Sequence, residues 1–295
     1  MASQARAALF KTIGAVLERL PERVDVGLAR TLALTVGRRT KAARQHLRTN
    51  LAHALAANGD TVEPALLDSF VDRGFASYGQ YWAESAKLPA LSKKTITSRF
   101  IIAEGLEHLL AAKSLGKGIV IALPHIGSWE WGGSFLASLE MPMTAVAEEL
   151  EPRELFEWFR AKRRAIGINI EPLNAHAGTV LLQTLREGGV VGLMCDRDIQ
   201  DNGIPVEFFG ERVTIPAGPA TLALRTGAAL VVAACYSGPG RDHFAVVNPP
   251  IGTERTARLR DDVARVTQAI AVELEGLIRR APEQWHVLQP RFVES

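Results

Sequence analysis

The sequence predicts an α/β fold with a mostly parallel or mixed central sheet flanked by helices, preceded by a helical N-terminal region. Three observations predict it. After residue 95, short apolar runs of strand length alternate with amphipathic helical segments, the pattern of strands joined by crossover helices. The runs are almost continuously apolar, as in a sheet covered on both faces. Glycines punctuate the strand entries at Gly118, Gly188-Gly189 and Gly227.

Taken in chain order, residues 8–20 carry Leu9, Phe10, Ile13, Val16, Leu17 and Leu20, which at about 100° per residue fall within an arc of about 120°. This is an amphipathic helix, either docked on the core or lying on a membrane surface. Leu20-Pro21-Glu22 ends it. Helices are expected over Val26–Val36, Ala42–Ala57 and residues 63–86, with a turn at Asn58-Gly59-Asp60. The expected strands are Ile119–Ala122, Thr144–Ala147, Ile168–Glu171, Val190–Cys195, Leu230–Tyr236 and Phe244–Val247. The expected helices between and after them are Leu106–Leu115, Trp129–Leu139, Glu154–Ala165, Gly178–Glu187, Ala217–Arg225 and Ala257–Arg280. No repeat, low-complexity segment or linker divides the chain, so one domain is the economical reading, with 1–92 as a helical N-terminal region and 93–295 as the α/β core.

A chain of 295 residues buries a large core. The net charge of +2 hides an asymmetry: residues 1–50 hold ten Arg or Lys and three Asp or Glu. Arg6, Lys11, Arg19, Arg23, Arg38, Arg39 and Lys41 are among them, and such a front end suits an anionic surface. Arg outnumbers Lys 26 to 8, and Arg suits bidentate phosphate contact. Cys195 and Cys235 have neither redox nor metal spacing and read as buried thiols. No apolar run reaches the length of a membrane span, and Lys11 and Glu18-Arg19 interrupt any signal-peptide core.

The stretch Leu123-Pro124-His125-Ile126-Gly127-Ser128-Trp129-Glu130 carries the chemistry. His125 falls at the carboxyl end of a buried strand, where open α/β sheets bind ligands. A neutral imidazole there can take a proton from a hydroxyl. Glu130 is expected in the following helix, able to face the same crevice. Gly127 allows close approach, and the first helix amides can bind an anion or oxyanion. The alternative is a structural histidine beside a surface glutamate. Asp196-Arg197-Asp198 follows the strand Val190–Cys195, so a carboxylate there either orients the imidazole or forms a solvated turn. Arg160, Lys162, Arg163 and Arg164 either hold a phosphate or pair along a helix face. Phe208-Phe209 walls a ligand site or plugs the core. Pro282-Glu283-Gln284-Trp285-His286 reads as a docked C-terminal turn.

Several classes lose support. There is no Gly-x-Ser-x-Gly elbow, no phosphate-binding loop or dinucleotide fingerprint, and no zinc spacing.

The chain also resembles, nearly end to end, the bacterial lipid A lauroyl/myristoyl acyltransferase-like family. It looks closest to the branch of actinobacterial phosphatidylinositol mannoside acyltransferases. The resemblance rests on the basic Arg44–Leu51 stretch, Tyr78-Gly79-Gln80-Tyr81-Trp82 with Glu84, and the His125/Glu130 block. It continues through Glu149, Arg164-x-x-Gly167, Asp196-Arg197-Asp198, Phe208-Phe209-Gly210, Pro216-x-Gly218-Pro219-Ala220 and Pro282-Glu283-Gln284-Trp285. The ending Trp285-His286-Val287-Leu288-Gln289 and the lack of a full N-terminal span point to the mannoside branch.

The resemblance implies a glycerolipid acyltransferase-like core and a membrane-facing N-terminal region. It implies catalytic roles for His125 and Glu130, with Asp196 paired to the histidine. It further implies a phosphate contact for Arg164, substrate contacts for Glu149 and Arg197, and oxyanion donors among the amides of Gly127, Ser128 and Trp129. Transfer would run directly from long-chain acyl-CoA, a co-substrate, to a hydroxyl of a phosphatidylinositol mannoside, without metal or other cofactor. The partners would be those two substrates and an anionic membrane, not nucleic acid, and the protein would sit peripherally on the cytoplasmic face of the inner membrane. Two alternatives stay open: a lipid A-type transferase using acyl carrier protein, and a membrane lipid-binding protein without catalysis.

Overall fold

The structure, a computed structural model, describes residues 2–22, 24–56 and 61–292. Arg23 and the Asn58-Gly59-Asp60 turn lie outside the described residues, as does the side chain of Arg6. Four helices come first: α1 (Ala2–Arg19), α2 (Asp25–Arg39), α3 (Lys41–Leu55) and α4 (Pro64–Lys87). The start of α4 is locally encoded. Pro64 occupies its first turn, where a missing amide costs nothing. The Glu63 carboxylate accepts the Ala65 and Leu66 amides at 3.0 and 2.7 Å, capping two donors that a helix start leaves open.

The amphipathic stripe of α1 is divided between two surroundings. Leu17 packs with Ala29 of α2 and Ala83 of α4, and Gly14 leaves room for the Trp158 ring. Leu9, Ile13 and Val16 stay about half exposed, as do Leu28, Leu32 and Val36 on α2. Among the described residues, no helix is long and apolar enough to cross a membrane.

From residue 93 the chain alternates: α5 (Lys93–Arg99), β1 (Phe100–Glu104), α6 (Leu106–Ser114), β2 (Ile119–Leu123), α7 (Trp129–Ser138), β3 (Met143–Ala147), α8 (Arg153–Ala165), β4 (Ile168–Pro172), α9 (Ala177–Arg186) and β5 (Val190–Met194). A hairpin of β6 (Ile204–Phe208) and β7 (Glu211–Ile215) follows, then α10 (Gly218–Thr226), β8 (Ala229–Ser237), β9 (His243–Val247) and α11 (Leu259–Arg280). The main sheet has the order β1-β9-β8-β2-β5-β3-β4. Strands β8, β2, β5, β3 and β4 are mutually parallel, while the β1–β9 pair runs opposite to them. The sheet is therefore mixed and mostly parallel. Side-chain alternation assigns the faces: Val120 and Ala122 of β2 join a core under α9, α10 and α11. Ile119, Ile121 and Leu123 join the opposite core, under α5, α6, α7 and α8.

The sequence reading does not include α5, β1 or the β6–β7 hairpin. Strand β1 lies at the sheet edge and buries only Phe100 fully, so its apolar signal is weak. The hairpin turns at Phe209-Gly210, both with positive φ (51° and 80°). That is the backbone of a tight two-residue turn, but with Phe where Asn or Asp normally signals it.

The helical region is tied to the sheet through a buried charge. Asp25 at the start of α2, 1% exposed, accepts Lys87 Nζ of α4 at 2.6 Å and Arg241 Nη2 of the β8–β9 turn at 2.5 Å. Removing the aspartate leaves the buried Lys87 ammonium without its carboxylate, while Arg241 stays partly hydrated. Asp25→Ala is expected to lower stability by about 3–5 kcal/mol, read as a shifted urea midpoint with an unchanged slope.

Candidate active site

The site follows from strand register. Strands β2 and β5 are parallel neighbours, with Ile119 opposite Val190 and Leu123 opposite Met194. The ladder runs one step further, since the Cys195 amide donates to Leu123 O at 3.0 Å. Two residues beyond each strand stand His125 and Asp196, which are therefore level at the carboxyl edge of the sheet. His125 Nδ1 lies 2.6 Å from Asp196 Oδ1, and the His125 amide donates to Oδ2 at 2.9 Å. The short aspartate side chain reaches the ring because the two strands end together.

Trp285 supplies the third bond. Its indole Nε1 donates to Asp196 Oδ2 at 2.7 Å. The C-terminal turn is thus more than a docked end: Ile126 pairs with Trp285, and the His286 amide donates to His125 O at 2.7 Å. Phe208 and Phe209 are core residues packed around the Trp285 ring. Asp196 is fully buried. Burial raises its carboxyl, but the imidazole and the three hydrogen bonds outweigh that and hold it down at about 2. His286, between Ser77 and the Tyr78 and Tyr81 rings, is pushed down to about 3 by burial and by His125. Burial pushes the Cys235 thiol up to about 12 and the Cys195 thiol higher still, so neither offers a thiolate near neutrality.

Glu130 sits in the first turn of α7 but turns away from His125. Its carboxylate accepts Tyr81 Oη at 3.2 Å and Ser85 Oγ at 2.6 Å, both from α4, and Arg163 Nε and Nη2 of α8 at 3.2 Å. The expectation that Glu130 shares the histidine's crevice is therefore corrected: α7 starts at Trp129, which aims Glu130 between α4 and α8.

The oxyanion expectation for Gly127 and Ser128 is corrected too. The Gly127 amide donates to Gln284 O at 2.9 Å and the Ser128 amide to Cys235 O at 3.1 Å. Gly127 has a φ of 53°, and a Cβ there would meet Cys235 O at 2.1 Å, so this glycine lets the loop lie against β8. Ser128 is buried and donates from Oγ to Glu84 Oε2 at 2.7 Å. Glu84 also meets His243 Nε2 at 3.0 Å and accepts Gln80 Nε2 at 2.8 Å. Burial raises the Glu84 carboxyl, yet His243 together with the Gln80 and Ser128 hydrogen bonds outweighs it and the carboxyl stays below its usual range.

His125 opens onto a cavity of about 680 Å³, which Trp129, Arg163, Arg197 and the α10 start at Pro216–Pro219 also line. Arg197 thus lies in the cavity wall. Arg164 does not: it is exposed, and its neighbour Arg163 is the α8 cation in the cavity wall. Glu149 is exposed and accepts Asn174 Nδ2 at 3.3 Å, while Glu148 reaches the cavity. Both departures are one-residue shifts, which motif spacing does not resolve. Trp285, Tyr81 and Ser85 carry no assigned role in the sequence reading, and Arg163 enters it only as one member of the basic run. Tyr81, Glu84 and Ser85 lie one turn apart on α4, so polar residues on the inward face of a buried helix were the available signal.

A buried carboxylate and a cavity-facing imidazole thus meet at the carboxyl edge of the parallel strands β2 and β5. The chain belongs to the family described as bacterial lipid A biosynthesis acyltransferase, whose model matches residues 3–294, and it is an acyltransferase. It is 37% identical over 254 residues to the phosphatidylinositol mannoside acyltransferase of Mycobacterium tuberculosis (strain CDC 1551 / Oshkosh), covering 84% of this chain and 77% of that protein. The protein of the same name from Mycolicibacterium smegmatis is 34% identical over 252 residues, covering 84% and 79%. A lipid A biosynthesis acyltransferase of Haemophilus influenzae is 24% identical over 282 residues, covering 92% and 82%.

The depressed Asp196 carboxyl sets an acid limit on stability. A carboxyl that ionises more readily folded than unfolded stabilises the fold above its unfolded value and ceases to do so as pH falls through its folded value. That contribution is complete above pH about 4 and lost toward pH about 2. Asp196→Asn is expected to cost roughly 2 kcal/mol near neutrality, with the gap to wild type closing between pH 4 and 2 in urea melts.

Proposed function

We propose that this protein is a membrane-peripheral acyltransferase that moves a long-chain acyl group from acyl-CoA to a mannose hydroxyl of a phosphatidylinositol mannoside. The observation that carries it is the His125–Asp196 contact of 2.6 Å at the mouth of the cavity. The names of the mycobacterial relatives support the acceptor class.

An ionised aspartate only accepts hydrogen bonds, so His125 Nδ1 carries the proton and Nε2 is left as the base. Nε2 takes the hydroxyl proton as the oxygen attacks the thioester carbon. The C–O bond forms, the C–S bond breaks, and the imidazolium returns its proton to the departing thiolate. Buried Asp196 stays ionised throughout and stabilises the imidazolium. Arg163 and Arg197 place positive charge along the same cavity for phosphate and developing oxyanion charge. General-base help is worth roughly 10²–10⁴-fold, and positioning in the cavity supplies much of the rest.

His125→Ala is expected to abolish transfer of radiolabelled palmitate from its CoA thioester to purified acceptor in a protein that still folds by circular dichroism, with a lowered urea midpoint because buried Asp196 loses its ring donor. Asp196→Asn is expected to lower kcat by roughly 10²–10⁴-fold, and Glu130→Gln by much less, because Glu130 serves Arg163. Equal losses at Asp196 and Glu130, or undiminished turnover in His125→Ala, defeat this mechanism. Acyl carrier protein as a better donor than acyl-CoA defeats the donor assignment.

The membrane contact is assigned to the exposed apolar residues of α1 and α2 and to the exposed cations Arg19, Arg30, Arg39 and Lys41. Arg38 bridges to Asp72 at 2.8 Å and is better left intact in a test. Arg39→Glu with Lys41→Glu is expected to reduce co-sedimentation with anionic vesicles at low salt and to leave binding to neutral vesicles unchanged.

A further inference from the structure

A second cavity, of about 600 Å³, lies among α1, α2, α4 and α8, within the roughly 300–1,000 Å³ of small-molecule sites. Its walls are apolar: Phe10 and Ile13 from α1, Leu32 from α2, Trp82 from α4, Trp158 and Phe159 from α8. The Phe10, Trp82 and Phe159 rings lie 5.9–6.4 Å apart, so the aromatic wall is preassembled. Its charged lining consists of Glu130, Lys162 and Arg163. Lys162 is paired with Glu18 at 2.7 Å, and Glu130 is paired with Arg163 at 3.2 Å.

Two features of this cavity point to its occupant. Arg163 lines both this cavity and the one that holds His125, so the ion pair is the partition between them. At the other end, Ile13, Leu32 and Val36 line the cavity and are also half exposed. The cavity therefore opens on the side where the exposed Leu9 and Val16 of α1 and Leu28 of α2 continue the same helical stripes as Ile13 and Leu32. An amphiphile entering there keeps hydrocarbon against the aromatic wall and brings its anionic group to Arg163, on the side of the reactive histidine.

We propose that this second cavity binds one hydrocarbon chain of the acceptor glycerophospholipid, with its phosphate at Arg163, separate from the space used by the donor. The assignment rests on the reading of the acceptor given above. It brings the acceptor's polar part to His125 from the helical side of the site. The soluble donor's phosphates are left to Arg197, on the sheet side.

The test needs no turnover. Of the five tryptophans, Trp82 and Trp158 line this cavity, whereas Trp129 lines the reactive one. Phosphatidylinositol with short brominated acyl chains, used below its micelle concentration so that no bilayer surface is present, quenches a tryptophan only on contact. Saturable quenching is expected in wild type and in Trp129→Phe, and none in the Trp82→Phe/Trp158→Phe double variant. Leu32→Glu, a change at a half-exposed position, is expected to weaken the midpoint at least tenfold with unchanged near-ultraviolet circular dichroism.

Absence of quenching in wild type, quenching that persists in the double variant, or quenching lost in Trp129→Phe overturns the assignment. If quenching follows the expected pattern while wild type acylates no glycolipid, the cavity assignment stands and the acceptor reading fails. If acylation occurs without quenching, the reverse holds.

Discussion

The polar half of the site rests on one buried carboxylate. Asp196 has no contact with water, and it is ionised because three donors converge on it: the His125 ring, the His125 amide and the Trp285 indole. An isolated charge in that position would be prohibitive, so the donors are as necessary to the aspartate as the aspartate is to the imidazole. Their convergence depends on β2 and β5 ending level. A one-residue slip between these strands would separate ring from acid and turn every side chain of one strand to the opposite face. The two apolar cores that hold the sheet therefore also hold the His125–Asp196 pair.

A second layer of polar contacts fixes the loop that follows His125. Glu84 holds Ser128, Cys235 O receives the Ser128 amide, and Gln284 O receives the Gly127 amide. These are bonds from α4, β8 and the C-terminal turn to one short loop. Helix α4 thus does more than cover the core. Its inner face carries Tyr81, Glu84 and Ser85, which meet either the start of α7 or the residues just before it. The Glu130–Arg163 pair closes the arrangement from α8.

Much of this was legible in the residues. The six expected strands and their intervening helices are present because their signal is long and strongly apolar, and His125 and Asp196 meet because both follow such strands. What was not legible depends on side-chain direction. Glu130 lies five positions after His125, and spacing alone does not reveal that α7 begins at Trp129 and aims the carboxylate at α4. Arg163 and Arg164 are adjacent in a basic run, and only the rotation of α8 about its axis distinguishes the cavity-facing one. The Trp285–Asp196 bond joins residues 89 apart, and no local pattern encodes it. The edge strand β1 and the Phe209-Gly210 hairpin escaped because one is half exposed and the other uses an unusual turn residue.

The indole bond to Asp196 has an implication for assembly. Trp285 follows the nine strands and eleven α-helices of the described residues, so one of the carboxylate's donors comes from outside the sheet and the helices that cover it. Only when the 282–287 segment seats itself does the imidazole acquire a fully compensated acid behind it. That segment acts as a latch on the acid: loosening it takes the indole from Asp196 and leaves a buried carboxylate short of a donor.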